Sequence, residues 1–227
     1  MKKRNFTLIE LLIVIGIIGI LAGLVLGGVT VAKQRGRITQ ARADMTSLRT
    51  AFEGMYRDYG RMAKSVSGGN YALGGHNFSV TDGCITIGEW KSYADYSNTE
   101  KEQYCNTIAE LADPGNSSLT VSLNRRRIKY LDPRTAYDPS RSPTYSQNNI
   151  DNTENTWLDP WGNPYLIRIN VDASEQIPDP SKASGHRLAG RIILWSLGPD
   201  GRGSSGSYSD DTNKDNIAGW KDGDWLD

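Results

Sequence analysis

Between Leu11 and Ala32 the chain carries no charged side chain. As a helix rising 1.5 Å per residue, these roughly 22 positions extend about 33 Å, the thickness of a bilayer's hydrocarbon core. The expectation is a retained membrane helix over residues 11–32. A removable secretory signal is the competing reading, but its apolar region usually spans about 7–15 residues and ends at a small-residue cleavage site, which the chain after Ala32 does not clearly offer. Lys2, Lys3 and Arg4 ahead of the run favour a cytoplasmic N-terminus, although Lys33, Arg35 and Arg37 flank its other side. One acid, Glu10, stands at the head of the run. An isolated carboxylate at membrane depth is costly unless an opposite charge arrives to meet it.

The rest of the chain, 33–227, is then expected outside the membrane as a globular domain. Of its 227 residues the protein has 26 Lys plus Arg and 26 Asp plus Glu. The balance leaves no field that would draw it onto nucleic acid, and no nucleic-acid partner is expected. Cys84 and Cys105 are the only cysteines. In an oxidising compartment they are expected to form a disulfide that staples a loop. With His76 and His186 they have no zinc-ligand spacing.

Beyond the apolar run the period changes while the helix continues. Ile38, Ala41, Met45, Leu48, Phe52, Met55 and Tyr59 recur in steps of three and four and so share one helical face, read as a stripe that packs on the protein's own sheet. Gly60 is a stop signal. Residues 60–156 read as a loop-rich insertion with a short helix near Glu102 to Leu111 and one or two short strands. Its cluster Arg125, Arg126, Arg127 and Lys129 reads as a solvated face. "PYLIRINV" and "GRIILWSL" read as strands of a hairpin with a long connection. The fold class is therefore α+β, a long N-terminal helix packed on a small antiparallel sheet.

From Leu197 to Asp227 seven Asp stand against Arg202, Lys214 and Lys221. Clustered carboxylates repel one another unless a cation sits among them, and calcium takes six to eight oxygens at about 2.3–2.6 Å. "DTNKDN" from Asp211 has the start of an EF-hand loop, but Asn216 stands where Gly is needed and no Glu closes it.

"FTLIELLIVIGIIGILAGLV" behind a basic leader resembles the class III signal of type IV pilins and type II secretion pseudopilins. "LDPWGNPY", "WSLGPDG" and "DNIAGW" resemble segments of the major pseudopilin of type II secretion; residues 61–156 are not covered. The resemblance implies a leader of residues 1–5, a helix over 6–59, and a sheet with a calcium loop over 157–227. It also implies that a prepilin peptidase cuts between Asn5 and Phe6, that Phe6 is then N-methylated, and that Glu10, fifth from it, pairs with the terminal amine of a neighbouring subunit. By motif position, the calcium ligands it implies are Leu197, Asp200, Asp215 and Asn216; Asp211 is a further carboxylate that the acidic loop itself offers. Asn5 replaces the usual Gly before the cut, and Asn216 replaces the second acid of the family's pair. Gly19, Gly23 and Gly27 recur every fourth residue, a spacing that lets helices approach closely.

The function implied is a homo-oligomeric filament subunit at the bacterial inner membrane, its domain in the periplasm or an extracellular filament. Its partners would be a secretion or pilus assembly platform and minor pseudopilins. A type IV pilin for adhesion, motility or DNA uptake is the close alternative. An enzyme is not expected: no G-x-S-x-G, H-E-x-x-H or phosphate-cradling glycine loop is present. A tethered calcium-dependent binding module remains open.

Overall fold

The computed structural model describes residues 8–112, 123–132, 157–172, 174–180, 185–204 and 213–220, setting aside the side chains at 22, 24–28 and 93. The chain forms two compact units, Met1–Thr39 and Gln40–Asp227. Helix α1, Leu8–Tyr59, runs through the first unit and continues into the second. Among the described residues no helix is long and apolar enough to cross a membrane. The expected span of 11–32 continues over side chains outside the described set.

In the second unit α1 buries one stripe. Ala41, Asp44, Met45, Leu48, Ala51, Phe52 and Met55 are buried there, while the flanking Ile38 and Tyr59 are half-buried. The three-and-four spacing puts these side chains on one face. The helix ends where Gly60 takes a positive φ of 68° and its N–H donates to Tyr56 O at 2.7 Å. A left-handed residue just past the last turn is how many helices satisfy their final carbonyls.

Three short strands follow: β1 (Lys64–Ser65), β2 (Tyr71–Leu73) and β3 (His76–Phe78), an antiparallel sheet in chain order. Next come β4 (Cys84–Ile87) and helix α2 (Asn98–Ala112). Beyond position 156 lie β5 (Leu166–Asn170), β6 (Gln176–Pro178), β7 (Arg187–Ala189), β8 (Ile192–Ser196) and β9 (Ile217–Ala218). The main sheet has the order β4-β5-β8-β9. Its register sets Thr86 opposite Arg168, Leu166 opposite Trp195 and Ser196 opposite Ile217. The expected hairpin is the β5–β8 pair, and its long connection folds back as a hairpin of its own, β6–β7.

Strand β4 comes from the segment read as a loop-rich insertion, yet it is an edge of the main sheet. "CITI" is β-branched and buried at Cys84, Ile85 and Ile87, which suits a strand pressed between a sheet and a covering layer. The core joins Leu166, Ile193, Trp195, Leu197 and Ala218 with Cys84 and Ile177. Trp90 and Trp220 stand against Trp195, with ring centroids at 5.1 and 6.1 Å. Contact between α1 and the sheet is direct: Tyr165 Oη donates to Asp44 Oδ2 at 2.8 Å, and an Arg49 guanidinium N–H donates to Gly219 O at 3.3 Å.

The expected disulfide does not form: Cys84 and Cys105 are both buried and no S–S bond joins them. The two thiols are built into different elements. Cys84 opens β4, opposite Asn170 in the core cluster, whereas Cys105 lies within α2. Burial pushes the Cys84 thiol up to about 11, so it is held as the neutral, unreactive form.

Candidate functional site

Two places in the chain carry the residues singled out above. The first is the start of α1. Asn5 and Phe6 lie outside the described residues; Glu10 sits in the first turn, an acid at the end where a helix favours negative charge. Around it Leu8 is 85% exposed, and Leu11, Leu12, Ile13, Ile15, Ile17, Ile18, Ile20 and Leu21 are all more than half exposed. So much apolar surface on one helix exceeds what a soluble monomer carries, and it marks a surface that meets lipid or other apolar protein. A Cβ added at Gly19 or Gly23 would meet nothing within 4 Å, so this face is open in the single chain. The side-chain surroundings of Gly27 lie outside the described set.

The second place is the loop after β8. It is built by three segments that are far apart in the chain. The carboxylate of Asp159 is buried and takes three donors: the N–H groups of Trp161 and Asn163 at 2.9 and 2.8 Å on Oδ1, and Ser196 Oγ at 2.6 Å on Oδ2. Burial is the larger influence and pushes its pKa up to about 6, against the lowering by these donors. Asn163 then reaches Gly198 O with its Nδ2 at 2.9 Å. "DPWGNP" and "WSLG" are thereby tied together.

The third segment, 213–216, closes the loop. Gly198 is left-handed (φ 66°), and a Cβ there would collide with the Asp215 carbonyl. Gly201 (φ 64°) has no room for one either, since Asn163 Oδ1 would lie 2.7 Å away. Glycine is required at both positions by conformation and by space. Asp215 Oδ2 accepts from the Asp200 N–H at 3.1 Å, and Asp200 Oδ1 from the Arg202 N–H at 2.8 Å. Burial raises the pKa of Asp215, making it a weaker acid. The side chain of Asn216 is fully buried. One of its amide atoms faces Leu197 O at 3.0 Å and Arg202 O at 3.1 Å. The other is 2.9 Å from Asn213 Oδ1.

The structure therefore brings Leu197 O, Asp200, Asp215 and Asn216 together in one loop, and adds Arg202 O, which the sequence did not single out. Asp211 lies outside the described residues. Among the described residues, no three His, Cys, Asp or Glu side chains gather to hold a metal. The oxygens the loop carries are of mixed kind: the carboxylates of Asp215 and Asp200 take the N–H groups of Asp200 and Arg202, and the Leu197 and Arg202 carbonyls stand against the Asn216 amide. Oxygen donors of this kind suit a hard cation rather than zinc or copper.

No curated protein and no solved structure matches this chain. Residues 1–26 match the family model described as the prokaryotic N-terminal methylation motif. The basic leader, Glu10 in the first turn and the exposed apolar helix behind it are thus, in this chain, the class III signal of type IV pilin-like proteins.

Proposed function

We propose that this protein is a structural, non-enzymatic subunit of a type II secretion pseudopilus, of the major-pseudopilin kind. A prepilin peptidase removes residues 1–5, and the chain stays in the inner membrane by residues 11–32. It polymerises from an assembly platform, with minor pseudopilins, to drive protein secretion. The observation that carries the reading is convergence. The three C-terminal segments that resemble the major pseudopilin meet in one loop, through Asp159 with Ser196, Asn163 with Gly198, and Asn216 against Leu197.

Glu10 is the assembly residue in this scheme. Cleavage before Phe6 creates an amine, and the amine of one subunit meets the Glu10 carboxylate of the next. Ion pairing of this kind offsets the cost of holding a carboxylate among apolar side chains. Gly19, Gly23 and Gly27 allow close helix approach within the filament.

Calcium fits the loop. Leu197 O, Arg202 O, Asp200, Asp215 and Asn216 would hold it, with Asp211 as a further carboxylate, and the cation would supply the positive charge that clustered acids lack. Binding to the folded form alone stabilises that form by mass action.

The deciding experiment pairs mass spectrometry of the mature N-terminus with a deletion strain. A chain beginning at N-methylated Phe6, with loss of secretion and no surface fibres in the parent strain, is the expected result. Long extracellular fibres on the parent strain, with secretion intact in the deletion strain, would assign the protein as a type IV pilin instead. A chain that begins at Met1 and still forms ordered filaments would remove the Glu10 mechanism.

A further inference from the structure

We propose that Asn213 is the positioning residue of the cation loop. Its side-chain oxygen takes the amide hydrogens of Asn216 and thereby turns the Asn216 oxygen toward the Leu197 and Arg202 carbonyls. The inference rests on the calcium reading above and concerns how this chain presents an uncharged ligand.

Both asparagines are 0% exposed, so their hydrogen bonds cannot be traded for water. The orientation of Asn213 is set by Ser204. The Ser204 N–H donates to Asn213 Oδ1 at 2.9 Å, while Asn213 Nδ2 donates to Ser204 O at 3.1 Å and Oγ at 3.3 Å. Turning this amide over would set an N–H against an N–H and an oxygen against a carbonyl. Its Oδ1 therefore faces Asn216 as an acceptor, and Asn216 Nδ2 lies 2.9 Å from it.

The other atom of the Asn216 amide is then the oxygen, 3.0 Å from Leu197 O and 3.1 Å from Arg202 O. The Asn216 oxygen then faces two carbonyl oxygens with no hydrogen between it and either. The opposite orientation of Asn216 would satisfy both carbonyls but set its oxygen 2.9 Å from Asn213 Oδ1, exchanging one conflict for another. Three acceptors surround an amide whose hydrogens all point one way. A cation at the three-oxygen corner resolves the conflict. Oxygens about 3 Å apart are the edges of a polyhedron whose centre is about 2.3–2.6 Å from each. Asn213 thus does for this amide what a carboxylate does for a metal-bound histidine, fixing which atom faces the metal.

The test is calcium titration of the full-length protein in detergent by calorimetry, with melting followed in chelator and in calcium. Asn213→Leu removes the acceptor and frees Asn216 to turn its NH2 onto the two carbonyls. Calcium affinity is expected to fall at least about 10-fold. Asn213→Asp still accepts from Asn216 and from the Ser204 N–H but cannot donate to Ser204. Its affinity is expected within about 3-fold of the parent or tighter. A role confined to tying down Ser204 would weaken both variants alike, and that result would overturn the assignment, as would parent-like binding by Asn213→Leu. Asn216→Asp supplies an arm that survives misfolding of the Leu variant. It gains charge but cannot donate to Asn213, so it should melt lower in chelator and show a larger calcium-induced rise. An unchanged melt in chelator contradicts the proposal. A parent chain that binds no calcium defeats the cation reading and Asn213's role together; a parent that binds beside an equally competent Leu variant defeats Asn213's role alone.

Discussion

Asp159 sits at a position where burial and hydrogen bonding pull in opposite directions, and the outcome is measurable. Its carboxyl takes N–H and O–H donors from Trp161, Asn163 and Ser196, yet burial holds its pKa at about 6 against an ordinary 3.8. The folded state therefore binds the proton more tightly than the unfolded state. The neutral form's contribution is fully present below about 3.8 and is lost as pH rises through about 6. A rise of this size corresponds to roughly 3 kcal/mol between the two protonation states. Asp159→Asn keeps an oxygen for the Trp161 and Asn163 N–H groups and is neutral at every pH. Urea unfolding at pH 7 and at pH 5 should show the parent gaining about 1 kcal/mol relative to Asp159→Asn on acidification. A constant difference would mean that burial does not govern this carboxyl. None of this was legible in the sequence. "LDPWGNPY" marks a turn, but what surrounds its acid depends on Ser196, which is 37 residues away.

At the scale of elements, α2 carries a local signal that apolar periodicity does not register. "SNTE" at 97–100 is a capping box: the Ser97 N–H donates to Glu100 Oε2 at 2.6 Å, and the Glu100 N–H donates to Ser97 Oγ at 3.3 Å. The bond from Lys91 Nζ, at 2.9 Å, and the bonds to Ser97 together hold Glu100 down to about 2. The helix accordingly starts at Asn98, earlier than the expected Glu102. Ser97→Ala should destabilise the domain by about 1 kcal/mol, read as an earlier urea midpoint with unchanged slope. An unaltered midpoint would show that the cap contributes nothing beyond the packing of α2. Strands divided differently. β5 and β8 were legible because their runs are long and β-branched, whereas β4 was not separable from its loop. Four residues, "CITI", become a sheet edge only because Ile85 meets Ile169 and Ile87 meets Ile167 across the ladder.

For the whole molecule, assembly and folding are expected to separate. Glu10 lies in the unit Met1–Thr39, and the sheet, core and cation loop lie in Gln40–Asp227. Glu10→Leu should abolish filament formation while leaving membrane insertion and the melt of the second unit unchanged, checked by filament pelleting and tryptophan fluorescence. Filaments at parental yield from the Leu variant would rule out amine–carboxylate pairing as the latch.

What the sequence determined by itself was everything carried by local period and local composition. That includes the helix that ends at Tyr59, the buried stripe from Ala41 to Met55, the two long strands and the leader motif with Glu10. Each depends on residues within a few turns of one another, where side-chain spacing alone sets which face is apolar. The tertiary structure decided what depends on distant partners. It buried Cys84 in a strand of the core and Cys105 in a helix, with no S–S bond between them. It also chose Arg202 O and Asn213 for the loop, because an amide's orientation is fixed only by the donors and acceptors that folding brings around it.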